Sequence, residues 1–372
     1  MKKFLLAVFL ISNVISSQEI INDTLQTTRQ DLDEVIVKGI RAKFSSPISF
    51  TNVDKKDLES KNLGQDLPIL LNFLPSVVTT SDAGAGIGYT GIRIRGVSPQ
   101  STNITINGIP FNDPESMGTF WVNLPDFSSS IESLQVQRGV GTSTNGSGAF
   151  GASINILTDI ISDEPFAELS SSFGSYNTLK NTIKFSTGKI NDHFELSGRL
   201  SKIDSDGYVD RAYSDLKSYF IQGAYTNGST LIKAISFGGH EKTYQAWYGL
   251  SMDQVEENRR QNPYTYENEI DNYKQDHFQL HWNEKINNYW SFNLGLNYTD
   301  GRGYFEQYKE DDDINTYGGI VKSDIDNNGQ ETGTTDLIRR RWLDNDFYVL
   351  NSSINYIKDK IDLTLSSSYS SY

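Results

Sequence analysis

From about residue 165 onward, apolar and polar residues alternate one by one along the chain. The clearest run covers 290–298, where every second residue is apolar, and similar runs cover 194–201 and 278–283. A period of two, with one apolar and one polar face, is typical of β-strands that have one side in an apolar environment. The pattern predicts about nine long antiparallel strands in this part of the chain.

The predicted connections between these strands alternate in length. Short turns and long loops follow each other, with the turns at 189–192, 227–229, 285–288 and 357–360 and the loops at 204–215, 241–272 and 300–342. Short turns at one end and long loops at the other are typical of a transmembrane antiparallel β-barrel. A soluble β-sandwich is the alternative, because its strands also alternate, but such long loops at one end only are unusual for it.

Residues 45–160 show a different pattern, in which helical and strand features mix. Leucines spaced at i, i+3, i+4 and i+7 predict a helix over Asp66–Leu74, and a second helix is predicted over Asp57–Leu63. Short strands joined by turns rich in glycine and proline are predicted at Ile92–Arg95, Asn103–Ile106, Ile131–Gln137 and Ala152–Leu157. We expect a small α+β domain.

The N-terminus indicates export. Residues 1–17 combine a charged start, an apolar stretch and small residues at the end, as a secretory signal peptide does, although a buried N-terminal helix is the alternative. Residues 18–44 follow as a polar, flexible lead with one β-branched run, which consists of Asp33, Glu34, Val35, Ile36 and Val37. That run is either the first strand of the next domain or a free strand that a partner binds by β-augmentation.

Composition narrows the class of protein further. The 372 residues include no cysteine, which excludes disulfides, cysteine-ligated metal centres and thiol nucleophiles. The formal net charge of −14 argues against nucleic acid as a partner. After residue 17 no apolar run approaches the roughly 20 residues that a membrane-spanning helix needs, so a helical membrane protein is excluded.

No catalytic motif stands out, and we predict that the protein is not an enzyme. Gly86–Gly91 matches the G-x-G-x-x-G pattern, but a strand-like segment follows where a dinucleotide site needs a helix. The four histidines are scattered, and His277 and His281 would lie about 13 Å apart on one strand, too far to chelate one ion by themselves.

One loop resembles the start of a calcium-binding loop. Asp324, Asp326 and Asn328 supply oxygen atoms at positions one, three and five, and a glycine follows at position six. Position twelve is Thr335 instead of the usual glutamate. A calcium site is therefore one hypothesis for this segment, and an acidic, solvated loop is the other.

A set of motifs in a fixed order resembles the TonB-dependent outer-membrane receptors, in which an N-terminal plug sits inside a 22-stranded barrel. The Asp33–Val37 run looks like the TonB box of these receptors. Five later segments are similar to the plug, namely Asp66–Val77, Ile92–Gly96, Ile106–Pro110, Ile131–Gly139 and Gly146–Ile156. Any one of them is a weak match, whereas the ordered set is specific.

The resemblance implies a mixed fold, with a small α+β plug followed by an incomplete transmembrane antiparallel β-barrel of about nine of the expected 22 strands. The expected order is a signal peptide at 1–17, a lead with the TonB box at 18–44, the plug at 45–160 and the first part of the barrel at 165–372. Because a barrel with open edges cannot sit in lipid, we expect the chain to be a piece of a longer receptor.

The resemblance also implies a function, the TonB-dependent import of a chelated iron complex across the outer membrane. Segments within 241–277 look like the iron-transport branch, close to ferric-citrate-type receptors. The expected partners are the TonB energy-coupling protein, outer-membrane lipid and a small-molecule metal chelate, with no covalent cofactor and with iron only as chelated substrate. Import of a glycan, peptide, vitamin or haem is the alternative, and a non-transporting binding barrel is a second one.

Several residues receive roles from the same resemblance. The TonB box would pair with TonB, and Arg95 and Arg138 look like the plug arginines that pair with barrel glutamates. Arginine and aromatic side chains suit an anionic chelate, and the alternative for each is an ordinary loop residue with no role in binding. The candidates for substrate binding in the plug turns and the long loop are Gln100, Asn112, Trp121, Tyr244, Trp247, Tyr248, Arg259 and Arg260.

Overall fold

The computed structural model describes residues 41–44, 46–141 and 150–372. The predicted signal peptide, the Asp33–Val37 run and the start of the Gly146–Ile156 motif lie outside these residues. Within the described ranges, no helix is long and apolar enough to span a membrane.

The N-terminal domain, residues 41–164, is built on a five-stranded sheet in the order β1-β6-β7-β4-β5, with a separate β2–β3 hairpin beside it. Its strands are β1 (Ser49–Asp54), β2 (Val77–Ser81), β3 (Thr90–Ile94), β4 (Thr102–Ile106), β5 (Ile109–Pro110), β6 (Ile131–Arg138) and β7 (Ala152–Thr158). The β4–β7 pair is parallel and the other pairs are antiparallel. All four predicted strands are present, and the sheet confirms a small α+β fold.

Two short helices cover this sheet, α1 (Lys55–Glu59) and α2 (Leu67–Leu70). Both end earlier than the sequence pattern predicts, so the expected ends at Leu63 and Leu74 are wrong. After α1 the chain turns through Gly64, whose φ of +125° only glycine adopts readily. After α2 comes Pro75, and a residue before proline avoids the helical conformation. The four predicted leucines are nevertheless buried.

The core of the N-terminal domain lies between its sheet and its helices. Strands β6 and β7 contribute its centre, and Leu134, Val136, Ile154 and Ile156 are fully buried there. The same apolar cluster continues into residues of the C-terminal half, among them Phe237. A second, smaller cluster joins Ile87 and Val122 to Ile203 and Leu216, so the two halves of the chain are in apolar contact at more than one place.

The C-terminal half forms one antiparallel sheet of nine strands in sequential order, as the alternation predicts. The strands are β8 (Phe166–Phe173), β9 (Leu179–Ser186), β10 (Phe194–Ser205), β11 (Ser214–Thr226), β12 (Thr230–Tyr244), β13 (Ile270–Lys285), β14 (Trp290–Asp313), β15 (Thr334–Lys358) and β16 (Ile361–Ser371). Each strand pairs with its neighbours in the chain, so every connection between them is a hairpin.

The hairpins of this sheet turn tightly at one end, the short-turn end, and carry larger loops at the other, the long-loop end. The three long loops cover 206–213, 245–269 and 314–333, and the middle one includes helix α3 (Met252–Glu257). The prediction of a loop over 300–342 is wrong, because β14 and β15 extend far into that range. Charged side chains pair across these extensions, as Arg340 does with Glu306. Such polar strands carry no apolar alternation from which sequence could recognise them.

The nine-stranded sheet has its polar face inside and its apolar face outside. On β13, Phe278, Leu280 and Trp282 are 46%, 44% and 42% exposed, whereas Gln279 and His281 between them are only 5% and 3% exposed. A soluble β-sandwich would have the opposite arrangement, because its apolar faces would be packed against each other. The outer face therefore suits lipid, and the inner face packs against the N-terminal domain.

Candidate functional site

A cavity of about 360 Å³ lies between the N-terminal domain and the inner face of the nine-stranded sheet. The N-terminal domain contributes Tyr89 and the turn that follows β5, residues 110–116. The sheet contributes side chains from β12 to β15, including Glu241, Asp271 and His277. Because Asp271 comes directly after the long loop 245–269, the cavity lies towards the long-loop end.

One asparagine holds the turn that lines the cavity. The Asn112 Oδ1 atom accepts a hydrogen bond from the backbone N–H of Ile104 at 2.7 Å, and its Nδ2 atom donates to the carbonyl oxygens of Thr102 and Met117 at 2.9 and 3.0 Å. The Asp113 carboxylate caps the same turn, because it accepts the backbone N–H of Ser116 at 2.6 Å. These bonds fix the turn to β4 through its backbone.

Tyr89 joins the turn between β2 and β3 to the sheet. Its hydroxyl donates a hydrogen bond to Oδ2 of Asp271, and its ring meets Trp247 edge-on at 5.2 Å between centroids. Burial, together with the negative charges of Glu241 and Asp271, holds the pKa of Tyr89 well above its usual range. The phenol therefore stays protonated and acts as a hydrogen-bond donor at neutral pH.

The structure places only some of the predicted substrate-binding residues near this cavity. Asn112 lines it, and Trp247 supports Tyr89 from behind while contacting Phe305. Tyr244 is buried in a small apolar cluster beneath the middle long loop. Tyr248 lies further out, stacked on Tyr264 at 4.9 Å between ring centroids.

The other predicted substrate-binding residues lie elsewhere. Arg259 is exposed in the middle long loop, and Arg260 next to it pairs with Asp210 at 3.4 Å. Trp121 is 3% exposed within the core of the N-terminal domain, and Gln100 sits in an exposed turn after β3. Their proposed contact with substrate stays a prediction.

The two arginines predicted to bind the barrel make contacts of a different kind among the described residues. Arg138 donates to the carbonyl oxygen of Pro75 at 3.1 Å and to Oγ1 of Thr51 at 2.9 Å, both within the N-terminal domain. Arg95 has a left-handed backbone with φ +56°. The pairing of both arginines with barrel glutamates stays a prediction.

The main ionic contact between the two halves is centred on an aspartate. The carboxylate of Asp126, fully buried, lies 2.7 Å from Lys180 Nζ and 3.5 Å from Arg199 Nη1. The hydroxyls of Thr182 and Ser201 donate to its Oδ2 atom at 2.6 and 2.7 Å. The charge is thus matched by basic groups and hydroxyl groups from β9 and β10.

The backbone of Asp126 explains why its side chain reaches the sheet. Its φ of +52° is left-handed, a conformation that aspartate tolerates better than most residues, and a 3₁₀ turn begins directly after it. From within the N-terminal domain, Asn62 Nδ2 and Ser129 Oγ donate to Oδ1 at 2.9 and 2.6 Å. The carboxylate is therefore fixed from both sides of the contact.

A second buried carboxylate stands where the chain leaves the N-terminal domain. Asp159 follows β7 directly, and its oxygen atoms lie 2.7 Å from Lys184 Nζ on β9 and 3.0 Å from Lys55 Nζ on α1. Burial would raise its pKa, but the two lysine charges outweigh that effect and lower it. Asp159 is therefore a charged contact between the sheet and the N-terminal domain.

The Asp126 contact predicts a dependence of stability on acid. Burial alone would raise the pKa of Asp126, but Arg199 and Lys180 more than compensate and lower it below the ordinary value of 3.8. An aspartate with a lowered pKa stabilises the fold fully above its ordinary pKa and loses that contribution as the pH falls through the lower value. We expect the difference in Tm between the natural protein and Asp126→Asn to narrow below about pH 4.

Thermal unfolding of both proteins in detergent between pH 7 and pH 3 measures this difference. A gap in Tm that stays constant over the whole range would contradict the assignment of the acid-sensitive contact to Asp126.

The segment with the calcium-like pattern forms the tip of the β14–β15 hairpin. Oδ1 of Asp326 accepts the backbone N–H groups of Asn328 and Gln330, both at 2.8 Å. Oδ1 of Asp324 accepts the hydroxyl of Thr335 at 3.0 Å. These oxygen atoms thus close the tip of the hairpin, and calcium binding there stays a hypothesis.

Comparison with known proteins identifies the N-terminal domain. Residues 42–153 match the family model of the TonB-dependent receptor plug domain. The chain carries the plug of a TonB-dependent receptor. The nine-stranded sheet that encloses one side of the plug corresponds to the first part of a receptor barrel, and receptors of this architecture are outer-membrane proteins.

Curated relatives and solved structures of this kind agree with the plug assignment. The probable TonB-dependent siderophore receptor PirA of Acinetobacter baumannii is 27% identical over 160 residues, which are 40% of this chain and 21% of PirA. The ferrienterobactin receptor of Escherichia coli K12 is 24% identical over 193 residues, 47% of this chain and 26% of that receptor. The open form of the ferric-catecholate import receptor Fiu from E. coli K12 superimposes with a TM-score of 0.64 at 14% identity.

The matches cover only parts of these longer proteins. The Fiu superposition covers 87% of this chain and 49% of the Fiu chain. The chain thus corresponds to about half of a solved receptor, with the plug and the first strands of the barrel.

Sequence reasoning missed the residues that hold the plug to the barrel and, apart from Asn112, those that line the cavity. Asp126 stands next to a recognised plug motif, but its partners on β9 and β10 are more than 50 residues away along the chain. Tyr89 and Asp271 are 182 residues apart. No local pattern in the sequence connects such pairs.

Proposed function

We propose that the protein imports a chelated iron complex across the outer membrane with energy from TonB. The observation that carries the proposal is the plug domain seated against the inner, polar face of the barrel sheet. A passive pore has no need of such a plug, whereas an energy-coupled receptor does. The names of the relatives, a siderophore receptor and a ferrienterobactin receptor, support iron as the metal.

The direction of transport follows from the two ends of the barrel. The cavity lies towards the long-loop end, which faces the outside of the cell in barrels of this kind. At the opposite end, Lys43 pairs with Asp362 of β16, only two residues after the short turn at 359–360. Lys43 thus lies at the short-turn end, and we propose that TonB reaches the Asp33–Val37 run from the periplasm.

In the proposed cycle, the substrate binds in the cavity from the long-loop end and contacts both the plug turn at 110–116 and the barrel wall. Tyr89 is one direct link between plug and wall at this cavity, because its hydroxyl is bonded to Asp271. A substrate that competes for Asp271 would loosen this link and favour a shifted plug. TonB would then pull on the lead and open a path beside the plug, with no covalent chemistry.

Uptake of radioactive iron by cells tests the proposal. Cells with and without the gene receive a panel of ferric chelates under iron limitation, and both energised and de-energised cells are measured. We expect the gene to confer uptake of at least one chelate, and only in energised cells. Uptake of cobalamin or haem, but of no iron chelate, would show that the substrate is not a chelated iron complex. Uptake by de-energised cells would contradict the proposed dependence on TonB.

The predicted TonB box gives a more specific test. Proline cannot donate a backbone hydrogen bond to a neighbouring strand, so Val35→Pro removes one bond of the proposed augmented strand. We expect uptake to fall by about tenfold or more, since a strand that cannot pair transmits no force, while binding of the chelate at 4 °C stays unchanged.

The matched control is Thr24→Pro, which places the same residue in the polar part of the lead. Equal uptake by the natural protein and the Val35→Pro variant would refute the assignment of Asp33–Val37 as the TonB box.

A further inference from the structure

The cavity above the plug is acidic. Four carboxylates line it, Asp113 and Glu115 from the plug turn and Glu241 and Asp271 from the barrel. The described residues of its lining include no lysine and no arginine. A ligand with several negative charges would meet only like charges here, and this repulsion grows as water is displaced.

Two of these carboxylates are buried beside each other on neighbouring strands. Glu241 is 1% exposed and Asp271 is 4% exposed. Thr243 Oγ1 donates to Oε2 of Glu241 at 3.0 Å, and Tyr89 donates to Oδ2 of Asp271. Part of the accepting capacity of the pair stays unused, because each oxygen atom of a carboxylate can accept hydrogen bonds.

Of the two carboxylates, Asp271 points more strongly to a bound ligand. Its Oδ1 atom is buried and receives no hydrogen bond from any residue that the structure describes. Buried carboxylate oxygens are costly unless they are matched by a donor or a positive charge. Because Asp271 lines the cavity, the group that would match this oxygen is one that a ligand brings.

Aromatic side chains complete the cavity. Phe111 and Phe120 of the plug and Tyr273 and Phe347 of the barrel lie in its wall. Aromatic faces attract cations as well as apolar groups. An organic ammonium group needs both features, since its charge is matched by carboxylates and its carbon atoms pack against rings.

We propose that this cavity receives a positively charged, amine-bearing part of the imported chelate. The inference rests on the proposed import function and adds the chemical class of the substrate. The ammonium group donates to Oδ1 of Asp271, with Glu241 beside it as a second acceptor. The arginines at 259 and 260, which the sequence offered for an anionic chelate, lie outside this cavity, and Arg260 is paired with Asp210.

The test compares chelates that differ only in one charge. Ferrioxamine B, a ferric trihydroxamate with a free ammonium group, is paired with its N-acetylated form, and a catecholate and a carboxylate chelate are each prepared with a free and an acylated amine. Binding of the iron-loaded compounds is measured at 4 °C on cells that display the protein at its natural length. For the class of chelate that binds, we expect the form with the free ammonium group to bind at least about tenfold more tightly than the acylated form. One charged hydrogen bond would give a difference of this size.

The matched variants are Asp271→Asn, in the cavity, and Asp253→Asn, which makes the same change on the exposed surface of α3. We expect Asp271→Asn to bind the two forms of a chelate with equal affinity, because the preference for the ammonium form is lost. Asp253→Asn should keep the preference of the natural protein. Equal amounts of each protein at the cell surface, measured by antibody labelling, show that the variants are folded and displayed.

The outcomes separate the two proposals. Binding of anionic chelates with no preference for the amine, unchanged in Asp271→Asn, would overturn this inference and leave iron import standing. Binding of none of the ferric chelates would overturn the proposed import function and the inference with it.

Discussion

Replacing Asp126 with alanine is expected to destabilise the folded receptor by about 3–5 kcal/mol, because the variant leaves two basic groups buried without their counter-charge. Lys180 and Arg199 are 2% and 1% exposed, and each forms an ion pair with this carboxylate. The variant weakens the contact between the plug and the barrel and leaves the hydrogen bonds between the barrel strands in place. We therefore expect a lower Tm in detergent and cells that admit large antibiotics, which a seated plug excludes.

Two further variants separate the loss of charge balance from a general effect. Glu59→Gln changes an exposed acidic residue of α1 and should leave both measurements unchanged. A triple variant with Asp126→Leu, Lys180→Met and Arg199→Met removes the charges together and should recover much of the lost stability, since apolar replacements of a whole buried ion cluster are often neutral. An Asp126→Ala variant as stable as the natural protein would show that the cluster contributes little.

Replacing Gly239 with alanine is expected to displace the plug from the barrel wall. A Cβ atom at Gly239 on β12 would come within 2.4 Å of the carbonyl oxygen of Asn123 and 2.7 Å of Cδ of Pro125, both in the plug. A carbonyl oxygen and a proline ring cannot rotate away as a flexible side chain can. Overpacking of this kind costs about 1–3 kcal/mol, so we expect a lower Tm and faster proteolysis of the plug.

Gly223 on the neighbouring strand β11 provides the matched control, because a Cβ atom there would meet nothing within 4 Å. Gly223→Ala should therefore behave like the natural protein in the same melting and proteolysis measurements. If both alanine variants lose stability equally, the loss comes from the strands themselves and the close approach of β12 to the plug is not its cause.

The sequence was sufficient for the architecture because each part of it has a local pattern. One-by-one alternation predicted nine strands, and the ordered plug motifs predicted the domain that residues 42–153 form. The same alternation could not predict where the strands end. Beyond the apolar band, charged residues interrupt the alternation on β14 and β15, so their continuation to Asp313 and from Thr334 resembles a loop in sequence.

The candidate site was less predictable, for a physical reason. We predicted arginines and aromatic residues of the middle long loop as binding residues because their side chains suit an anionic chelate. The cavity is instead lined mainly by residues that folding brings together from distant parts of the chain. Tyr89 lies in a glycine-rich segment. The one pattern we recognised there was a G-x-G-x-x-G match that lacks the helix of a dinucleotide site. Its importance depends on a contact with Asp271, and a contact between residues 182 positions apart exists only after folding.

The length of the β14–β15 hairpin determines which part of the protein an approaching antibody or bacteriophage meets first. A barrel strand crosses the hydrocarbon layer with about 9–11 residues, while β14 has 24 residues and β15 has 25. At about 3.3 Å per residue, the remainder of each strand extends roughly 40 Å along its own direction beyond the lipid. Antibodies and bacteriophages would therefore meet the acidic tip at 314–333 well before the cavity above the plug. Changes in that tip would alter their recognition of the protein and leave the cavity intact.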